Sequence, residues 1–128
     1  SPTTSGVWIE LGAPPLRFGA GSAELSPALD AALRALPAAI GAELFRLEVG
    51  GHASDDESPP AIEPGVRSLA LARAEAALHA LRQAGARART FGLATYDSGL
   101  SPGEVDPRTT EGRVALRRIT LRLEVLTP

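Results

Sequence analysis

The stretch Gly50 to Ser58 (GGHASDDES) places a histidine, two serines and three acids directly behind two glycines. His52, Ser54 and Asp55 are the residue types of a hydrolytic triad. Neighbouring side chains in an extended segment point alternately to opposite sides, so these three residues cannot form the relay geometry on their own. We therefore expect no catalytic residues here and no enzyme.

The acids of the same stretch suggest a second chemistry, the binding of a cation. His52, Asp55, Asp56 and Glu57 are all potential metal ligands. They lack the alternating spacing of a calcium loop, and the prolines that follow restrict how the chain can wrap around an ion. The pattern favours a solvated acidic loop, so we expect neither a metal nor a cofactor.

Two other motifs give weak signals. Gly19 and Gly21 resemble the start of a dinucleotide loop, but the third glycine is missing and the next helix begins too late. The pair Arg117 and Arg118 could face an anion, although a solvated pair beside a strand is the simpler interpretation. Neither motif predicts a ligand.

Length and composition narrow the class of protein. The 128 residues suit one domain, and the net charge of -2 argues against the basic surface that nucleic acids require. The absence of cysteine excludes disulfides and thiolate metal sites. No apolar run approaches the roughly 18 residues that would span a membrane.

Alternating apolar residues predict the strands of the fold. This period-2 pattern is typical of strands with one buried face. A short extended piece is expected at residues 16–18. The longer strands are predicted at residues 7–11, 44–49, 87–94 and 119–126.

Two amphipathic helices separate these strands. Ser26 and Pro27 form an N-cap followed by proline at the first helical position, and Gly41 suits the end of that helix. The second helix is predicted at about residues 67–84, with Gly85 as its C-cap. Its expected buried stripe consists of Leu71, Ala74, Leu78 and Leu81.

This order of elements predicts an α+β fold, a βαβαβ-β sandwich with both helices on one face of a mixed sheet. We expect one domain over residues 1–128 with its core at about 16–126. Residues 1–15 would form an N-terminal lead-in strand, and residues 53–65 an inserted acidic, proline-rich loop.

The order of several short motifs resembles the OmpA-like domain, the peptidoglycan-binding module of outer-membrane proteins, Pal lipoproteins and the flagellar stator protein MotB. The likeness runs from about Phe18 to Val125. Its motifs are Phe18-x-x-x-Ser22-Ala23-x-Leu25-x-Pro27, Gly51-His52, Leu69-x-x-x-Arg73-Ala74-x-Ala76, Gly85, Glu111-Gly112-Arg113 and Arg117-Arg118-Ile119.

The resemblance implies a non-catalytic periplasmic module that anchors part of the Gram-negative cell envelope to the cell wall. Its partner would be peptidoglycan or an envelope protein, and not nucleic acid. The domain itself would not span a membrane, and its oligomeric state is left open.

The resemblance also implies a binding site for the diaminopimelate of the peptidoglycan stem peptide. In the family, an aspartate after the Gly-His pair and an arginine in the second helix hold the ammonium and carboxylate of that residue. Arg73 matches the arginine, but Ser54 stands where the family has the aspartate. Asp55 or Asp56 would have to replace it.

Two hypotheses follow. In the first, Arg73 holds the stem-peptide carboxylate while Asp55 or Asp56 holds the ammonium. In the second, the fold has lost this pocket and serves as an interaction or assembly module of an envelope complex, with Arg73 paired inside its own chain.

Overall fold

Two helices lie on one face of a four-stranded sheet in the computed structural model, which describes residues 3–11, 16–19, 22–41, 44–53, 65–96 and 117–127. The elements are β1 Thr3–Leu11, α1 Pro27–Ile40, β2 Leu44–His52, α2 Gly65–Gln83, β3 Ala88–Tyr96 and β4 Ile119–Thr127. The strand order is β1-β4-β2-β3. The predicted α+β architecture is therefore confirmed.

The sheet is mixed because β2 pairs with one neighbour in each direction. It runs parallel to β3, to which α2 connects it, and antiparallel to β4. The strand β1 completes the sheet by pairing antiparallel with β4, so that Leu11 lies opposite Ile119 and Thr3 opposite Thr127. One end of the sheet thus carries Leu11, Ile119 and the carboxyl end of β2.

The ends of α1 follow the predicted capping chemistry. The Ser26 hydroxyl accepts a hydrogen bond of 3.1 Å from the backbone N–H of Leu29. At the other end Gly41 adopts a left-handed φ of 70°, and its N–H donates to the carbonyl of Pro37. Glycine reaches this conformation without the strain that a Cβ would add.

The core lies between the helices and the sheet. Leucines of α1 and α2 pack there against alternate residues of β2 and β4. Within the described part of the chain, no helix is long and apolar enough to cross a membrane. The buried hydrophobic residues with the least exposure are Leu29, Leu33, Val49, Ala53, Ala70, Ala74, Ala77 and Ile119.

The expected buried stripe of α2 is partly wrong. Ala74 and Leu81 are buried as predicted, but Leu71 is 37% exposed. The buried face is instead formed mainly by alanines, at positions 70, 74, 77 and 80. A helix face of small side chains can lie closer to the sheet than a face of leucines. With the alanine face against the sheet, Leu71 lies on the side of α2 that faces solvent.

Other element predictions differ from the structure at their bounds. The first strand begins at Thr3 rather than at residue 7, and the third runs on to Tyr96. Residues 16–18 do not form the expected extended piece, because the chain bends at residues 16 and 17. The predicted inserted loop at 53–65 lies mostly outside the described residues.

Candidate functional site

Arg73 lies at the centre of the candidate site, on the inner face of α2. Its side chain is 0% exposed, although arginine is rarely buried without partners. The guanidinium donates three hydrogen bonds to backbone carbonyls: Nε to Ser22 at 2.8 Å, Nη1 to His52 at 2.9 Å and Nη2 to Gly19 at 3.1 Å. Arg73 therefore connects α2 with the end of β2 and with the segment before α1.

An aromatic ring covers the same guanidinium. The Cζ atom of Arg73 lies 4.8 Å from the centre of the Phe18 ring, a cation–π distance. Phe18 is itself buried, and its N–H donates to the carbonyl of Arg117 at 2.9 Å. The ring and the three carbonyls together make a site in which a buried positive charge is stabilised.

Gly51 allows α2 to come this close to β2. A Cβ atom built on Gly51 would contact the carbonyl oxygen of Ala70 and would lie 2.8 Å from its carbon and 2.9 Å from the nitrogen of Ala74. These are backbone atoms of α2, which cannot rotate away as a side chain can. The glycine is thus required at this position by the helix that carries Arg73.

His52 ends β2 as a buried, neutral residue. Its side chain is 2% exposed, and Nε2 forms a hydrogen bond of 2.9 Å with the hydroxyl of Thr120. Burial, together with the smaller effect of the positive charge of Arg118, lowers the pKa of His52 from 6.5 to about 3. A histidine with so low a pKa is a poor general base near neutral pH.

The buried His52 predicts a specific loss of stability in acid. Between pH 6.5 and about 3 the unfolded chain protonates this histidine while the folded chain does not. The free energy of unfolding should therefore fall as the pH drops through this range, by up to roughly 1.4 kcal/mol per pH unit from this residue. Denaturant titrations at a series of pH values will measure the slope.

Two variants isolate this contribution. His52→Gln should flatten the pH dependence, because glutamine has no proton to gain. His79→Gln is the matched substitution, because it replaces the other histidine, which is exposed on α2, and keeps His52 in place. Equal slopes in the parent and in His52→Gln would contradict the prediction.

Arg118 is a second buried arginine at this end of the sheet. It is 5% exposed, so the interpretation of the 117–118 pair as solvated is wrong for this residue. Its carbonyl accepts the N–H of His52 at 3.1 Å, and its Nη2 lies 3.8 Å from the carboxylate of Glu10. Both backbone groups of His52 thus bond to a buried arginine: its N–H donates to the carbonyl of Arg118, and its C=O accepts from the guanidinium of Arg73.

Of the predicted binding residues, only Arg73 lies within the described part of the chain. Ser54, Asp55 and Asp56 lie outside it, although the chain enters this segment from His52 and a fully buried Ala53. Sequence reasoning missed the partners of Arg73 at Phe18, Gly19 and Ser22. The Phe18-x-x-x-Ser22 motif contained the signal, since two of these partners are its fixed positions.

Two concave surfaces on the described residues are lined by side chains other than Arg73. A pocket of about 120 Å³ lies at the opposite end of the sheet, between Pro37, Leu44 and Gly85. A shallow depression on the outer face of α2 is lined by Glu75, His79 and neighbouring residues. Among the described residues no cluster of histidines and acids is suited to a metal ion.

Comparison with known proteins identifies the fold. No protein-family model and no curated protein matches the sequence. Solved structures do match. The OmpA-like domain of FopA1 from Francisella tularensis superposes with a TM-score of 0.70 at 14% identity, over 97% of this chain and 76% of that one.

Two further structures agree. The cell wall anchor of the T6SS from Pseudomonas aeruginosa gives a TM-score of 0.65 at 21% identity, over 94% of this chain and 80% of that one. The periplasmic domain of Helicobacter pylori MotB gives 0.69 at 18% identity, over 96% and 84%. With two helices on one face of a β1-β4-β2-β3 sheet, this chain has the OmpA-like fold, in a strongly diverged sequence.

Proposed function

We propose that the chain is a non-catalytic module of the cell envelope that attaches to peptidoglycan in the periplasm. The observation that carries the proposal is the position of Arg73 within the OmpA-like fold. It projects from α2 to the carboxyl end of β2, where it bonds to the carbonyl of His52. Only Ala53 separates His52 from the segment that contains Ser54, Asp55 and Asp56.

In this proposal Arg73 holds the carboxylate of a stem-peptide diaminopimelate. The bonds from its guanidinium to the carbonyls of Gly19, Ser22 and His52 fix the orientation of the group, so a carboxylate would meet a preorganised partner. Asp55 or Asp56 holds the ammonium of the same ligand.

A second candidate function is favoured by the burial of Arg73. A fully buried guanidinium that donates to three backbone carbonyls already has a structural role. Under this alternative the arginine only supports the fold, and the domain acts as an interaction or assembly module of an envelope complex. Ser54, at the position of the family aspartate, fits the same alternative.

Sedimentation with purified diaminopimelate-containing peptidoglycan separates the two candidates. If the chain binds the wall, the parent protein will co-sediment, and Asn substitution of the aspartate that holds the ammonium will weaken retention. Loss of one charged hydrogen bond corresponds to about ten- to a hundredfold in affinity. Asp55→Asn and Asp56→Asn are both needed, because either aspartate is a candidate.

Asp30→Asn is the matched control. It makes the same change of charge on α1, where Asp30 pairs with Arg34 at 3.0 Å on the surface, and it should not alter retention. If the parent fails to co-sediment while Ser54→Asp does, the pocket has been lost and the second candidate holds. If neither protein is retained, peptidoglycan is not a ligand of this chain.

A further inference from the structure

The strand β1 leaves an open edge on the described sheet. It lies at the end of the order β1-β4-β2-β3, and its nine residues contain neither proline nor lysine. Two large apolar side chains on it are exposed, Val7 at 54% and Trp8 at 56%. Proteins commonly protect such edges with charges, prolines or bulges, because an open edge pairs readily with another strand.

The hydrogen bonds of the sheet show which backbone groups face this edge. The N–H of His52 donates to the carbonyl of Arg118. The backbone N–H and C=O groups of the even-numbered residues of β4 therefore face β2. Its odd-numbered residues therefore bond to β1, at Val7, Ile9 and Leu11. The N–H and C=O groups of the alternate residues, Gly6, Trp8 and Glu10, point outward from the sheet.

We propose that this edge pairs with β1 of a second copy of the chain, antiparallel, around a two-fold axis at Trp8. Trp8 then lies opposite Trp8 of the second copy, and Gly6 lies opposite its Glu10. These are the outward-facing residues, and each opposed pair exchanges two N–H···O bonds. The three pairs supply about six backbone hydrogen bonds and join the two sheets into one.

Charge complementarity selects this register. The guanidinium of Arg122 lies over the edge: its Cζ is 5.5 Å from the Trp8 ring, and its Nε would lie 3.5 Å from a Cβ on Gly6. The side chain of Glu10 is 64% exposed. Opposite Gly6, Glu10 of the second copy comes beside Arg122, and the symmetry makes this contact twice.

The other face of the strand agrees with the same register. Val7 comes opposite Ile9 of the second copy, so that the exposed valine gains an apolar neighbour. An axis at Val7 instead would place Glu10 opposite Thr4 and away from Arg122. Both contacts, Glu10 with Arg122 and Val7 with Ile9, form only when β1 pairs with another β1. We therefore infer that the strand that pairs with this edge comes from a second copy of the chain and not from an unrelated protein.

Analytical ultracentrifugation over a range of concentrations tests the pairing. The parent should associate reversibly to a dimer. Val7→Glu should weaken association by roughly tenfold or more, because the new carboxylate would be buried against Ile9 of the second copy. Leu93→Glu is the matched control, since Leu93 is an exposed apolar residue, at 40%, on the opposite edge strand β3. It should associate like the parent.

Two results would overturn the proposal. One is a parent protein that stays monomeric at roughly 1 mM, where even a weak complex is half assembled. The other is a dimer that Leu93→Glu disrupts and Val7→Glu does not. Thermal unfolding of each variant confirms that it is folded. Neither Val7 nor Leu93 belongs to the candidate site, so the outcome is independent of peptidoglycan binding.

Single cysteines test the register, because the chain has none of its own. Around an axis at Trp8, the two Cys side chains of Trp8→Cys face each other at a Cα separation of about 5.5 Å, within the range of a disulfide. Glu10→Cys places them roughly 13 Å apart along the strands. Mild oxidation should give a covalent dimer of the first variant only; the reverse result would exclude this axis.

Discussion

Gly51→Ala is expected to lower the free energy of unfolding by about 3 kcal/mol or more, and the melting temperature by roughly 10 °C or more. The added methyl would lie against the carbonyl of Ala70 and 2.9 Å from the nitrogen of Ala74. Relief requires α2 to move away from β2, and this movement would open the alanine-lined contact below it. Denaturant unfolding followed by circular dichroism measures the loss.

Gly92→Ala is the control for this substitution. Gly92 lies in β3, and there the added methyl would meet the end of the Arg46 side chain, which is flexible and partly exposed. Arg46 can rotate aside, so the cost should stay below about 1 kcal/mol. Equal stability of Gly51→Ala and the parent would mean that α2 and β2 are not in close contact.

Arg73→Met is expected to cost about 3–5 kcal/mol of stability, because each buried carbonyl that loses its donor costs about 1–3 kcal/mol. Methionine fills much of the space of the arginine stem but donates no hydrogen bond. The carbonyls of Gly19, Ser22 and His52 would each lose the bond that Arg73 now provides. Arg73→Lys should fall between methionine and the parent, because one ammonium cannot reproduce the fork of a guanidinium.

Arg82→Met provides the comparison on the same helix. Arg82 is exposed, and its guanidinium stacks 4.9 Å from the ring of Phe91, so its loss should cost less than about 1 kcal/mol. If Arg73→Met were as stable as Arg82→Met, Arg73 would not serve as an internal clamp. A strong cost also means that a loss of wall binding in Arg73→Ala would not by itself identify a ligand contact.

The parts of the fold that the sequence predicted well are those that local chemistry determines. Ser26, Pro27 and Gly41 mark the ends of α1 because capping depends on a few adjacent residues. The alternation of apolar residues in β4 likewise predicts its buried face, on which Ile119, Leu121 and Leu123 lie.

What the sequence did not predict depends on contacts between distant segments. Thr3 to Gly6 carry no apolar alternation and extend β1 only because β4 offers them a partner. Leu71 fits a leucine stripe, yet the close approach at Gly51 selects the alanine face of α2 instead. The contacts of Arg73 with Gly19 and Ser22 span more than fifty residues, so the local motif that contains Ser22 did not show that Arg73 is its partner.

The pairing of β1 with β4 also determines how the domain would respond to mechanical tension. Thr3 lies at one end of this ladder, whereas the carboxyl end of β2 lies at the other, beside Leu11 and Ile119. A force applied between Thr3 and the carboxyl end of β2 acts parallel to the strands. It loads the β1–β4 hydrogen bonds in shear, so that they resist together instead of opening one after another from an end.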